Sequence, residues 1–278
     1  MSSDLAADLH VHTTGSDGTD TLDERIDQAR ERGLDAVAIT DHDRVIDELG
    51  AGSREYDGLE VVTGVEVRAD LFDTKVEFLG YFVDPEAPAL ASVLERARQF
   101  RRERNRELVA RLNDATDLEL DYETLVGEVR GGLGRPHLAG VLVEEGYVDG
   151  IGAAFDEYLA EEGDVYVPME RIPAADVIEA IQSAGGVASL AHPGRIRSDR
   201  VPEMVATAAE HGLDAIETWY PYGEGSAFEV ADAKRLADDH ELLRTGGSDC
   251  HGRDSGKFRI GNCGLTAEAF ETLRAARR

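Results

Sequence analysis

The stretch Ala7-Asp8-Leu9-His10-Val11-His12-Thr13-Thr14-Gly15-Ser16-Asp17-Gly18 begins as a strand and ends as a turn. Residues 8–11 form a short apolar, β-branched run, and the i, i+2 spacing of His10 and His12 puts both imidazoles on one side of an extended chain. Asp17 follows in a glycine-bearing loop. Paired imidazoles beside a carboxylate are standard ligands for a divalent metal, so this strand end is a candidate metal site.

Working outward, the same arrangement recurs. Six further strands are expected at 36–39, 61–67, 76–83, 186–191, 215–220 and 242–245, making seven. Four of them lead into ligand-type residues: Thr40-Asp41-His42-Asp43, Gly64-Val65-Glu66, Ala191-His192-Pro193-Gly194 and Gly247-Ser248-Asp249-Cys250-His251. Between the strands lie amphipathic stretches at 22–32, 175–184, 202–211, 227–239 and 268–276. Gly33, Gly185 and Gly212 stand where helices usually stop. This alternation predicts an α/β fold with a mainly parallel sheet. In a closed barrel of that kind, the working groups come from the C-terminal ends of the strands. Burying so many ionisable groups at one barrel mouth costs several kcal/mol per unpaired charge, unless cations are present.

Residues 90–163 break the rhythm. They read as successive helices, first a long charged one through Arg101, Arg102, Glu103, Arg104 and Arg106, then 137–145 and 153–159. The expected organisation is a barrel from 1–89 and 164–278, with 90–163 as a helical insert lying over it and shaping access. The glycines of 127–134 lack the strand-loop-helix context of a phosphate loop and read as a flexible connection.

Composition limits the partners. The chain carries 57 acidic and 29 basic residues, a net charge of −28, and its only lysines are Lys75, Lys234 and Lys257. The acid is spread along the whole chain, which reads as a halophilic surface hydrated for a salt-rich cytoplasm; simple acidic solubilisation is the plainer alternative. Tight nonspecific binding to long nucleic acid is excluded for want of a basic footprint, while a small phosphorylated substrate held by local arginines and metals is not. No basic segment followed by an apolar core opens the chain, and no run of eighteen apolar residues occurs, so a cytoplasmic protein without membrane contact is expected. Cys250 and Cys263 are too few for a disulfide framework and read as free thiols. No oligomeric state is implied.

The ordered set Asp8-Leu9-His10-Val11-His12, Ile39-Thr40-Asp41-His42-Asp43, Gly64-Val65-Glu66, Arg135-Pro136-His137, Ala191-His192-Pro193-Gly194-Arg195 and Gly247-Ser248-Asp249-Cys250-His251 resembles the PHP (polymerase and histidinol phosphatase) superfamily of metal-dependent phosphoesterases. It is most similar to the branch with a helical insert that acts on nucleoside monophosphates, 3′,5′-nucleoside bisphosphates and the 5′ ends of short RNA. The resemblance implies a distorted (β/α)7 TIM-like barrel with two or three divalent ions (Mn, Mg, Zn or Fe, with Mn favoured). One ion would take His10, His12, Glu66 and Asp249. A second would share Glu66 and add His192, and a third would take Asp17, His42 and His251. The chain departs from the pattern at Glu77, where such relatives often carry a histidine ligand. A carboxylate there would favour harder ions such as Mn²⁺ or Mg²⁺ over Zn²⁺, unless Glu77 simply faces solvent.

The implied reaction is hydrolysis of a phosphate ester by metal-activated water. Arg135, His137 and Arg195 are candidates for gripping the phosphate or assisting the leaving group, since arginine presents paired donors to phosphate oxygens. Ordinary surface ion pairs are the plain alternative for both arginines. Trp219 and Tyr220 either stack on a base or fill the mouth. Two competing readings are a phosphatase for a non-nucleotide metabolite such as histidinol phosphate, and a non-catalytic binding domain. The collection of buried charges speaks against the latter. His211 and His240 read as surface positions, and Cys250 as a packing residue.

Overall fold

The computed structural model describes residues 5–129, 133–161, 163–223, 226–253 and 259–278. Its strands are β1 (Ala7–Val11), β2 (Ala36–Ile39), β3 (Ser53–Tyr56), β4 (Leu59–Leu71), β5 (Thr74–Tyr81), β6 (Ile172–Pro173), β7 (Val187–Leu190), β8 (Ala215–Trp219) and β9 (Leu243–Gly246). All nine join one sheet, paired along the path β1-β2-β4-β5-β7-β8-β9, with β3 and β6 each added beside β4. The helices are α1 (Leu22–Glu31), α2 (Pro88–Ala115), α3 (Tyr122–Glu128), α4 (Arg135–Glu144), α5 (Ile151–Ala154), α6 (Ala174–Ser183), α7 (Val201–Glu210), α8 (Val230–Asp239) and α9 (Ala267–Ala275). The fold is therefore mixed α/β around a central sheet.

The first βαβ unit shows why the alternation works. Thr21 starts α1 with a reciprocal cap: its backbone N donates to Glu24 Oε2 at 2.7 Å, and Glu24 N donates to Thr21 Oγ1 at 3.4 Å. The period of two then divides β2 between two cores. Val37 and Ile39 pack with Ile26 and Ala29 of α1, while Ala36 and Ala38 pack with Leu9, Val62, Leu79 and Tyr81.

Two features differ from expectation. The sheet has nine strands rather than seven among the described residues, because the charged edge strand β3 and the two-residue β6 carry no apolar run. The sheet is also less parallel than expected, since β5 runs antiparallel to both β4 and β7. The physical reason is the link at Phe72 and Asp73, both with φ 56°, which form a two-residue hairpin turn. A parallel pairing would need a long crossover. The run expected at 61–67 instead continues to Leu71, with Val67, Ala69 and Leu71 buried and the intervening Arg68 and Asp70 half-buried.

After β9 the chain returns to β1. Cys250 N donates to His10 O at 3.3 Å and His12 N donates to Cys250 O at 2.9 Å. A Cβ on Gly247 would lie 2.3 Å from His10 N, so only glycine admits this approach. Asp8, fully buried, fastens the segment by accepting from Ser248 N at 2.9 Å and Gly261 N at 2.8 Å.

The chain forms two compact units, Met1–Ala97 with Arg171–Arg278, and Arg98–Glu170. The second is helical, with Leu108, Leu112, Leu138, Leu142 and Leu159 in its own core. Within it, His137 Nδ1 accepts from Gly134 N at 3.0 Å at the start of α4, and Arg135 donates to Leu159 O at 3.1 Å. Gly131 and Gly132 of the expected flexible connection lie outside the described residues. No described helix is long and apolar enough to cross a membrane.

Candidate metal centre

Glu66 projects from β4 with 1% exposure and is met by four imidazoles. His10 Nε2 and His12 Nε2 each lie 3.4 Å from Oε2, His42 Nδ1 lies 3.0 Å from the same oxygen, and His192 Nε2 lies 3.0 Å from Oε1. Asp249 joins from the segment after β9, with Oδ1 3.6 Å from His10 Nε2 and 3.3 Å from His12 Nε2. On the other side of His12, Asp17 Oδ1 lies 3.3 Å from His251 Nε2, and its Oδ2 lies 3.7 Å from His42 Nε2. Apart from Glu66, which lies within the long strand β4, these residues sit near strand ends or on the loops that follow them.

The donor set fits metal ions better than hydrogen bonds. His10 Nε2, both ring nitrogens of His12, His42 Nδ1 and His192 Nδ1 are buried without a hydrogen-bond partner. Orphaned buried nitrogens are rare because each forfeits its solvation. Among the described residues three groups offer ligand atoms within 4.8 Å of one another: His12 with Asp17, His42 and His251; His10 with His12 and Glu66; and His42 with Glu66 and Glu77. The backbone is strained at the same place. His192 and Asp249 take φ values of 26° and 52°, a region that non-glycine residues enter at a cost and often at functional sites.

The sequence relationships agree with this geometry. The family model for the PHP domain matches residues 8–158, which include the first strand and Glu66. The chain belongs to the PHP domain family. A phosphoribosyl 1,2-cyclic phosphate 1,2-diphosphodiesterase of Eggerthella lenta is 34% identical, covering 90% of this chain and 95% of that one. A 3′,5′-nucleoside bisphosphate phosphatase of Chromobacterium violaceum is 31% identical over 92% and 90% of the respective chains. Among solved structures, a candidate metal-dependent phosphoesterase from Bifidobacterium adolescentis superposes with a TM-score of 0.81 at 29% identity, covering 98% of this chain and 96% of that one.

Within this PHP domain, His10, His12, Asp17, His42, Glu66, His192, Asp249 and His251 are thus brought together. Glu77 also reaches the cluster, with Oε2 3.6 Å from His192 Nε2, although its oxygens are engaged by Arg68 and Lys75. Arg195 is exposed and donates to Tyr220 Oη at 2.8 Å. Trp219 packs against the inner core cluster and lies under Lys234, 5.3 Å from the ring centroid. Its neighbour Tyr220 is the aromatic at the centre, donating to Asp249 Oδ2 at 2.9 Å with its ring 5.4 Å from that of His192. Arg135 and His137 lie in the helical unit, and His211 is exposed at the end of α7.

Several supporting residues were not singled out by the sequence reading. Glu217 on β8 binds His10 Nδ1 at 3.0 Å through Oε1 and accepts from His192 N at 2.7 Å through Oε2, which leaves His10 Nε2 to face Glu66. Asp41 shapes the loop that carries Asp17, accepting from Thr13 N at 2.8 Å and Ser16 Oγ at 2.5 Å. Arg25, fully buried on α1, donates to His12 O at 2.9 Å and Cys250 O at 3.2 Å, tying the two segments together. Two signals were available: Arg25 falls on the apolar face of α1 between Leu22 and Ala29, and Glu217 is a lone acid inside a buried strand.

Charge follows the same geometry. Burial works against ionised Glu66, yet the imidazoles of His42 and His10 prevail and hold it well below the usual carboxylate range. Burial likewise opposes ionisation of Asp249 and Asp17, and neighbouring histidines lower both. His10 is pushed well above its ordinary value: burial opposes the proton, but Glu217, Glu66 and Asp249 outweigh it. His12 and His192 rise for similar reasons, whereas burial keeps His42 below its ordinary value.

Proposed function

We propose that this PHP domain is a metal-dependent hydrolase of phosphate esters, acting on nucleotides: a nucleoside monophosphate, a 3′,5′-bisphosphate or the 5′ end of a short RNA. The observation that carries this reading is the ring of imidazoles around buried Glu66, in which the nitrogens of His10, His12 and His42 that face the carboxylate have no hydrogen-bond partner. Divalent ions held there would neutralise phosphoryl oxygens and bring the pKa of a bound water towards neutrality. His10, His12, Glu66 and Asp249 would hold one ion, Glu66 with His192 and Glu77 a second, and Asp17, His42 and His251 a third, with Mn²⁺ preferred because carboxylates contribute to every group.

The chain's own residues supply orientation. Glu217 fixes the tautomer of His10, and Tyr220 holds Asp249 Oδ2 while taking a hydrogen bond from Arg195. The exposed Arg195 is the group in this unit proposed to meet the substrate phosphate. From the helical unit, Arg135 and His137 are proposed to add further contacts, with residues 90–163 serving as a cap on a catalytic barrel from 1–89 and 164–278. Closure of the sheet into a (β/α)7 barrel is supported by the pairing of the segment after β9 with β1. The acidic surface suits a salt-rich cytoplasm.

The substrate class rests on a shared chemistry. The two curated relatives described above are named for a phosphoribosyl cyclic phosphate and a nucleoside bisphosphate, and both carry the phosphate ester on a ribose. The deciding experiment is phosphate release with Mn²⁺ at high salt from AMP, 3′-phosphoadenosine 5′-phosphate, a ribose cyclic phosphate, a short 5′-phosphorylated RNA and histidinol phosphate. Turnover of ribose-borne esters that EDTA abolishes is expected. Turnover of histidinol phosphate alone would replace the nucleotide reading, and no metal-dependent hydrolysis of any ester would overturn the enzyme.

A further inference from the structure

The antiparallel pairing of β4 with β5 sets Arg68 directly opposite Glu77, on the face that carries Glu66. Glu77 is 5% exposed and its two oxygens have different partners. Oε1 accepts from Arg68 Nε at 3.2 Å and from its terminal nitrogen at 3.1 Å. Oε2 lies 2.9 Å from Lys75 Nζ and 3.6 Å from His192 Nε2. Glu77 is therefore both a candidate ligand, grouped with His42 and Glu66, and the counter-ion of a lysine, and with Oε1 held by Arg68 the oxygen left to serve as ligand is the one Lys75 engages. An ammonium and a divalent ion cannot share one carboxylate oxygen at contact distance without strong repulsion.

The two cations differ in their freedom to leave. Arg68 has a side chain only 18% exposed, and two nitrogens of its guanidinium donate to Oε1, which holds it there. Lys75 is one residue into β5, next to the hairpin turn, with a side chain 50% exposed on a flexible four-carbon stem. It can swing into water.

Building on the metal-centre reading above, we infer that Lys75 is a displaceable counter-ion: it occupies the Glu66, Glu77 and His192 position in the ion-free protein and weakens that position for a divalent cation. Arg68 stays on Oε1 throughout, which leaves Glu77 one oxygen to offer. This position consequently fills last and exchanges most readily, while the groups around His12 bind tightly.

The test is a Mn²⁺ titration of EDTA-stripped protein by calorimetry, with bound metal counted after desalting, for wild type, Lys75→Met and Lys75→Arg. Lys75→Met is expected to tighten only the weakest class of sites, by about tenfold at low salt, because a competing charge has been removed. That gain shrinks as salt rises from about 0.1 M to about 2 M, since a half-exposed ammonium is screened, and Lys75→Arg restores the wild-type value. A Lys75→Met protein whose affinities all match wild type, or all shift together, overturns the role of Lys75 while leaving the metal centre standing. A wild-type protein that binds no Mn²⁺ overturns both.

Discussion

Asp17 and Glu77 mark opposite ends of the cluster, and they are compensated by different means. Asp17 faces His12, His42 and His251, with no arginine or lysine in contact among the described residues. Glu77 faces Arg68 and Lys75 at contact distance, with His192 and His42 farther off. Its carboxyl is held down to about 2: burial opposes ionisation, but Lys75 and Arg68 overcome it despite the nearby Glu66. An imidazole can balance a carboxylate as a protonated cation and then, on losing its proton, become a ligand beside it; a guanidinium can only balance. The histidine end is thus built for exchange between protons and metal, and the Glu77 carboxylate is already compensated without an ion.

The largest expected effect breaks the histidine side outright. Asp249→Asn should lower Mn²⁺-dependent turnover by about a thousandfold or more, since a ligand to the activating ion is lost. Asparagine tolerates the left-handed backbone at φ 52°, so the far-ultraviolet circular dichroism should be unchanged. Activity within tenfold of wild type would remove this cluster from the reaction. Next, Glu217→Gln should weaken the tightest class of Mn²⁺ sites by about 10- to 100-fold and the Glu77 position less, because its amide oxygen can still accept from His192 N while the hold on His10 Nδ1 is lost. Equal losses in every class would erase the distinction between the two ends. Tyr220→Phe, which removes the hydrogen bond to Asp249, should reduce kcat/KM by about tenfold, and an unchanged value would make Tyr220 a spacer.

The smallest effect is in pH dependence. His10, His12 and His192 have folded-state values above the ordinary 6.5, so their stabilising contribution is complete below that pH and is lost as pH rises through the elevated values. Asp17, Glu66 and Asp249 are lowered, so theirs is complete above the ordinary carboxylate range and is lost only in acid. His42, lowered by burial, works against the other histidines. Melting of EDTA-stripped protein should therefore fall by a few degrees (~2–4 °C per kcal/mol) from about pH 6 to about pH 9. With Mn²⁺ the slope should reverse, since the ion displaces those protons. A stripped protein that melts higher at pH 9 than at pH 6 would contradict this balance of charges.

Much of the cluster was legible because most members lie where an apolar run ends, Glu66 inside β4 being the exception, and a period of two suffices to put His10 with His12. The direction of β5 was not, since 76–83 has the same local pattern whichever way its neighbours run; only the two-residue link at Phe72 and Asp73 distinguishes them. Arg68 was missed for the same reason, because its meeting with Glu77 depends on that antiparallel register, whereas Lys75 stands two residues before Glu77 on β5 and shares its face by the period of two alone. Glu217 and Arg25 look like ordinary polar residues until the strand and the helix face that carry them are known to be buried. Trp219 drew attention by its chemistry, yet the turn after β8 brings Tyr220 to the histidines instead.

Asp8 finds its partner Ser248 only 240 residues downstream, and Asp249 and His251 arrive with it. At about 5–20 residues per second, a ribosome delivers them roughly ten to fifty seconds after His10 and His12. The ligand set of a nascent chain therefore stays unfinished while those 240 residues are made, and loading of the complete centre has to wait for the segment after β9 to emerge.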